Sequence, residues 1–114
     1  MTYKEIADMI SSMGLPYTYN SFPNNEAPQP PYIVFNYPDR NDFGADNENY
    51  VNIDILNLEL YTSNKDFQTE ANIEAVLKAN GFFYEKSETY IRSENLFQIT
   101  YVSQVITELG EQNG

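Results

Sequence analysis

The sequence predicts an α+β fold: a mostly antiparallel sheet of four to five strands with two helices packed on one face, in the order α-β-β-β-α-β-β. Three observations predict it. Two stretches, near residues 2–14 and 65–80, carry helix boundaries around an apolar stripe. The remainder holds runs of β-branched and aromatic residues separated by turn-forming clusters. The 114 residues suit one domain that buries its own core without disulfides or a structural metal. Residues 1–109 read as that domain, and 110–114 as a frayed tail.

The first helix has the clearest boundaries. Thr2 and Glu5 form a T-x-x-E capping box, and Ile6, Met9, Ile10 and Met13 follow the spacing of one buried stripe. Gly14 offers a left-handed residue beyond its end, and Pro16 prevents continuation. Residues 16–22 (PYTYNSF) alternate as a strand with Tyr17 and Tyr19 on one face. The next nine residues, PNNEAPQPP, hold four prolines and must form an irregular extended loop.

Residues 32–37 (YIVFNY) are apolar at both parities, as in a central strand, and Pro38 is expected to end it. DRNDFGADNEN then reads as a polar loop with four acids against one base. Residues 50–62 form a long strand whose pattern switches parity. Val51, Ile53 and Ile55 are apolar at odd positions, and Leu56, Leu58 and Leu60 at even ones. A straight strand cannot send both sets to one face. Either a bulge near Ile55–Leu56 resets the register, or the two halves pack on different things.

The second helix is expected over roughly 65–80, capped by Ser63 or Asn64, with Asp66 favouring its positive end. Phe67, Ile73, Val76 and Leu77 fit its buried face, Glu74 and Lys78 are an i,i+4 pair, and Gly81 is the C′ residue. The remainder reads as two or three strands with turns near Ser87–Glu88 and Ser93–Asn95. Phe97, Ile99 and Tyr101 form an alternating face. The tyrosines at 17, 19, 32, 37, 50, 61, 84, 90 and 101 all fall in or beside strands, where aromatics are favoured, and some are expected at protein interfaces.

Composition removes most catalytic chemistry. The chain has no Cys and no His, hence no thiolate nucleophile, imidazole base or usual zinc ligand. Its glycines are isolated, so no phosphate-binding loop is present. Asp54 and Glu59 have opposite parities and make a poor acid–base pair. An EF-hand frame started at Asp39 fits Asn41 and Gly44, but it puts Phe43 and Tyr50 at ligand positions. No catalytic residue, cofactor or metal site is therefore expected. Six basic and seventeen acidic side chains give a formal charge of −11, and the cations are scattered singly, unlike a nucleic-acid surface. No apolar run near Met1 suffices for a signal peptide or membrane span, so an intracellular location and no membrane partner are expected. What remains is binding to other proteins.

TYKEIADMISSMGLPYTYNSFP, PPYIVFNYPDRNDFGADNENY and LNLELYTSNKDFQTEANIEAVLKANGFFYEKSETYI together resemble small head–tail joining proteins of long-tailed phages and prophages of Gram-positive bacteria. The resemblance is to the tail terminator, or tail completion, family, and it spans nearly the whole chain. It implies a mixed α/β fold and a hexameric ring that caps the head-proximal end of the tail tube. The implied partners are further copies of the chain, the major tail tube protein, and the head–tail connector or stopper protein. DNA would pass through without specific binding. The implied location is the virion tail or neck, after assembly in the host cytoplasm. A head-closure or connector-adaptor protein is the alternative. In such a ring Asp39, Asp42, Asp46 and Glu48 are candidates for a lumen or tube-facing loop. Val51, Ile53 and Ile55 are candidates for a subunit-interface strand.

Overall fold

The computed structural model of the protein describes residues 1–24, 26–40, 43–45 and 48–108, with side chains described outside 43–45 and 48–51. The elements are α1 (Tyr3–Ser11), β1 (Tyr17–Tyr19), β2 (Tyr32–Arg40), β3 (Phe43–Ala45), β4 (Glu48–Thr62), α2 (Phe67–Ala79), β5 (Glu85–Ile91) and β6 (Leu96–Thr107). The expected order holds, with the short β3 added. The expected tail, 110–114, lies outside the described residues.

The sheet runs β1-β2-β4-β6-β5, with β3 paired to the start of β4. All pairings are antiparallel except β1 with β2, where Tyr17 aligns with Ile33 and Tyr19 with Phe35. A parallel pair needs a long return connection. The proline-rich loop of residues 20–31 supplies it.

Both helices cover one face. Ile6, Met9 and Ile10 of α1 and Ile73 and Leu77 of α2 join Ile33, Phe35, Leu56, Leu58, Leu60, Ile99, Tyr101 and Val105 in one core. The capping box closes α1 as expected: Glu5 N–H donates to Thr2 Oγ1 at 3.0 Å, and Thr2 N–H to Glu5 Oε1 at 2.8 Å. The cap of α2 is Asp66 rather than Ser63 or Asn64, its side chain accepting from Thr69 N–H at 3.0 Å. At the other end Gly81 takes φ +80°, Gly81 N–H reaches Lys78 O at 3.0 Å, and Phe82 N–H reaches Leu77 O at 2.9 Å. That is a Schellman motif, and it turns the chain sharply toward β5.

The parity switch in β4 is resolved without a bulge near Ile55–Leu56. From Asn52↔Thr107 to Thr62↔Phe97 the pairing with β6 is unbroken. Asp54, Leu56, Leu58, Leu60 and Thr62 are buried toward the helices, while Ile53 and Ile55 are half-buried on the helix-free face. The two apolar sets pack on different sides of one straight strand. The irregularity lies in β2, between Asn36 and Asp39. Pro38 therefore does not end β2. It sits where a missing N–H costs no ladder bond, and the strand continues to Arg40.

Three further expectations change. The described residues of the expected polar loop lie in strands: Asp39 and Arg40 belong to β2, and β3 pairs antiparallel with the start of β4. Phe67, expected in the core, is 73% exposed, with Lys65 Nζ 4.8 Å above its ring. Ser87–Glu88 is not a turn but lies inside β5, so the C-terminal part holds two strands joined at residues 92–95.

Candidate interaction surfaces

The helix-facing side of β5 carries Lys86 and Glu88 where a core would place apolar residues, because α2 offers acids to meet them. Glu70 is 2% exposed. Its Oε2 accepts from Lys65 Nζ at 2.6 Å, and its Oε1 lies 2.9 Å from Lys86 Nζ as an ion pair without hydrogen-bond geometry. Lys65 also reaches Glu88 Oε1 at 2.5 Å, and Lys86 reaches Glu74 Oε2 at 2.6 Å. Tyr101 O–H donates to the same Glu74 oxygen at 2.8 Å. Glu74 thus pairs across to β5 rather than with Lys78 along its own helix. Burial opposes its ionisation, but the Lys86 and Tyr101 hydrogen bonds outweigh it and hold the carboxyl below its ordinary range. The Glu74 and Glu70 contacts raise the Lys86 ammonium. This network clamps α2 to the sheet edge.

A second buried acid behaves alike. Asp54, 3% exposed, accepts from Tyr3 O–H at 2.6 Å and Thr107 Oγ1 at 2.7 Å, with Arg40 Nε 4.0 Å away. Its hydrogen bond pushes the Tyr3 phenol up. Glu59 lies on the opposite face, accepting from Asn57 Nδ2 and Tyr61 O–H, each at 2.8 Å. The two carboxylates are separated by the sheet. Among the described residues no cluster of acids has the arrangement of a metal site.

The acidic candidates are only partly placed. Asp39 pairs with Ile55 in the β2–β4 ladder, and its own Oδ1 accepts from Arg40 N–H at 2.8 Å. Glu48 opens β4 opposite Ala45. Asp42 and Asp46 lie outside the described residues.

Of the strand candidates, Ile53 and Ile55 fall on the helix-free face, where Ile53 aligns with Ile106 and Ile55 with Gln104 of β6. Val51 pairs with Phe43 of β3. One end of this face is covered by Phe22, which meets Tyr32 edge-on at 5.3 Å, with the Tyr32–Tyr61 stack at 5.1 Å beside it, and Tyr32 and Val34 are buried. At the other end Ile106 is 62% exposed and Phe83 is 93% exposed. Beside Phe83 runs a groove of ≈ 440 Å³ lined by Ile55, Phe83, Tyr84, Glu85, Val102 and Gln104. Sequence reasoning missed Phe83. Its signal was available in FFY after Gly81: a Schellman turn sends the first aromatic to the core and leaves the next without a partner.

No protein-family model matches the chain, and no curated protein matches it in sequence. A chain in a solved structure described as "Virion of native gene transfer agent (GTA) particle" is similar in fold. The TM-score is 0.61 over 91% of this chain and 87% of that chain, at 12% identity. At that identity the likeness is one of fold alone.

Proposed function

We propose that this chain is a structural virion protein that works by assembly rather than catalysis. In this reading copies close into a ring, as a hexamer, at the head-proximal end of a phage tail tube. The ring ends tube polymerisation and joins the tail to the head through the connector or stopper protein. The observation that carries the reading is the fold shared over nearly the whole chain with a component of a gene transfer agent virion. The sequence resemblance to tail terminators supports the finer role.

The surfaces suit such a part. A ring subunit needs two different side surfaces, because head-to-tail contacts are heterologous and must close. Ile53 and Ile55 offer an apolar strip on a sheet face without helices. A charge of −11 suits a channel that DNA passes through without sticking. Salt screens that repulsion beyond about 8–10 Å, so the acids that matter must line the channel. The segment with Asp39, Asp42, Asp46 and Glu48 is assigned to that lining or to the tube-facing side.

The test is electron microscopy of particles made without the protein. Overlong or unjoined tails are the expected outcome. Infectious particles with tails of normal length refute the reading. Normal tails beside leaking heads would place the chain in head closure instead.

A further inference from the structure

We infer that β5 is a docking edge for a second copy of this chain, the two β5 strands pairing antiparallel about a two-fold axis at Ser87. The inference goes beyond the virion reading and does not rest on it.

The direction of the ladder hydrogen bonds fixes which backbone groups β5 offers. Ile33 N–H donates to Pro16 O and Phe35 O accepts from Asn20 N–H, each at 2.8 Å, so these residues of β2 turn their backbone groups toward β1. The N–H and C=O of one residue point to the same side of a strand, and successive residues alternate. Val34 therefore faces β4, where it pairs with Glu59. Leu58 and Leu60 then face β6, opposite Tyr101 and Ile99. Thr100 faces β5, opposite Ser87. The N–H and C=O groups of Lys86, Glu88 and Tyr90 are left pointing outward. Among the described residues no strand pairs with that edge, and Glu85–Tyr90 are all exposed. The strand holds no proline, and its ladder with β6 is regular from Glu85↔Val102 to Ile91↔Leu96. A straight, uncovered edge of this kind is a template for another strand.

The charges on the edge select both occupant and register. Outward groups must meet outward groups, so the axis falls on a residue of β5. An axis at Lys86 or Glu88 sets like charges directly opposite, which opposes pairing, and one at Thr89 sets Glu88 against Tyr90. An axis at Ser87 sets Lys86 against the other copy's Glu88, and Glu88 against its Lys86. The same register sets Glu85 against Thr89 and Tyr84 against Tyr90, and carries the exposed Phe83 toward Ile91. Lys86 and Glu88 remain reachable, their side chains 38% and 44% exposed while they hold α2. The formal charge of −11 does not forbid the contact. At 0.15 M salt the screening length is about 8 Å, so charges across one strand spacing of about 5 Å dominate over distant ones. The pairing is isologous and joins the two sheets into one. It uses neither Ile53 nor Ile55.

Sedimentation of the purified protein from micromolar to millimolar, with amide hydrogen exchange at both ends of that range, tests the inference. The expected result is a monomer–dimer equilibrium in which the amides of Lys86 and Glu88 become protected as concentration rises. Those of Ser87 and Thr89, turned toward β6, should be protected throughout. Glu88→Lys sets lysine against lysine twice and is expected to weaken the dimer at least about 10-fold. Glu85→Lys changes the net charge equally on the same strand but faces Thr89, and is expected not to weaken it. A protein that stays monomeric at millimolar concentration overturns the inference. So does a dimer that protects neither outward amide, or an equal loss from Glu85→Lys. The exchange measurement uses the unaltered chain, so it decides the matter even if a variant unfolds. None of these outcomes depends on tail length, which alone decides the ring reading.

Discussion

Glu70 separates two accounts of what an ionic cluster does beneath a helix. The perturbation is a pair of variants, Glu70→Ala and Glu70→Met. Removing one member of a buried ion pair costs about 3–5 kcal/mol when its partner is left stranded. Neither lysine is stranded here. Lys65 keeps Glu88 and Lys86 keeps Glu74, and their side chains are 27% and 38% exposed. Water and the second acid absorb most of the loss. The expected cost of Glu70→Ala is therefore about 1–2 kcal/mol, part of it lost packing. Glu70→Met restores the volume and removes the carboxylate that had to be desolvated, so it should fall within about 1 kcal/mol of the parent. Urea unfolding reads both. With a slope of about 2 kcal/mol/M, Glu70→Ala moves the midpoint down by roughly 0.5–1 M, and Glu70→Met shifts it by less than about 0.5 M in either direction. A loss of about 3 kcal/mol or more in Glu70→Met would show that the ions give net stability, and would refute the reasoning.

Two other outcomes follow from the same structure. Leu58, 1% exposed between Phe35 and Tyr101 on the neighbouring strands, cannot accept a charge; Leu58→Asp should abolish cooperative unfolding, since an unpaired buried carboxylate costs several kcal/mol against a total of about 5–15, and a folded variant with a parent-like midpoint would exclude Leu58 from the core. The lowered Glu74 carboxyl gives acid sensitivity: its contribution is present above the unfolded value near 4.5 and lost as pH falls through the lower folded value. The midpoints of the parent and Glu74→Gln should therefore converge as pH falls below 4.5, and a gap that stays constant there would contradict it.

How far the sequence could be read depended on the range of each interaction. The capping box of α1 joins residues three apart, and it was legible together with the stripe above it. So was the Gly81 turn. The parity switch at Ile55–Leu56 was legible, and of its two readable causes the packing of the two halves on different sides is the one the strand adopts. The register shift near Pro38 in the neighbouring strand was not, because parity within one strand carries no information about its partner. The α2 face was legible at Ile73, Val76 and Leu77 and failed only in its first turn, for a longer-range reason. Phe67 fits the stripe by spacing, yet Glu70 is the buried residue, because its partners come from Lys65 and from Lys86 across the sheet. The expected Glu74–Lys78 pair lost to Lys86 in the same way. Ile53 and Ile55 were singled out because their parity was odd. Phe83 was not, since its signal lies in the turn after Gly81 and not in the run of aromatics read by itself.

The strand order also sets a timetable for synthesis. β6 is made after every other described strand, yet it lies between β4 and β5 and pairs with both. A nascent chain that has emerged only through β5 has neither half of its sheet joined. β4 then shows a bare edge along Asn52–Thr62, and the leucines beneath it lack Ile99, Tyr101 and Val105. Unpaired edges of that length recruit other strands. Folding here is consequently a late and nearly single event, and chains broken off before Leu96 are the species most exposed to aggregation and to proteolytic clearance.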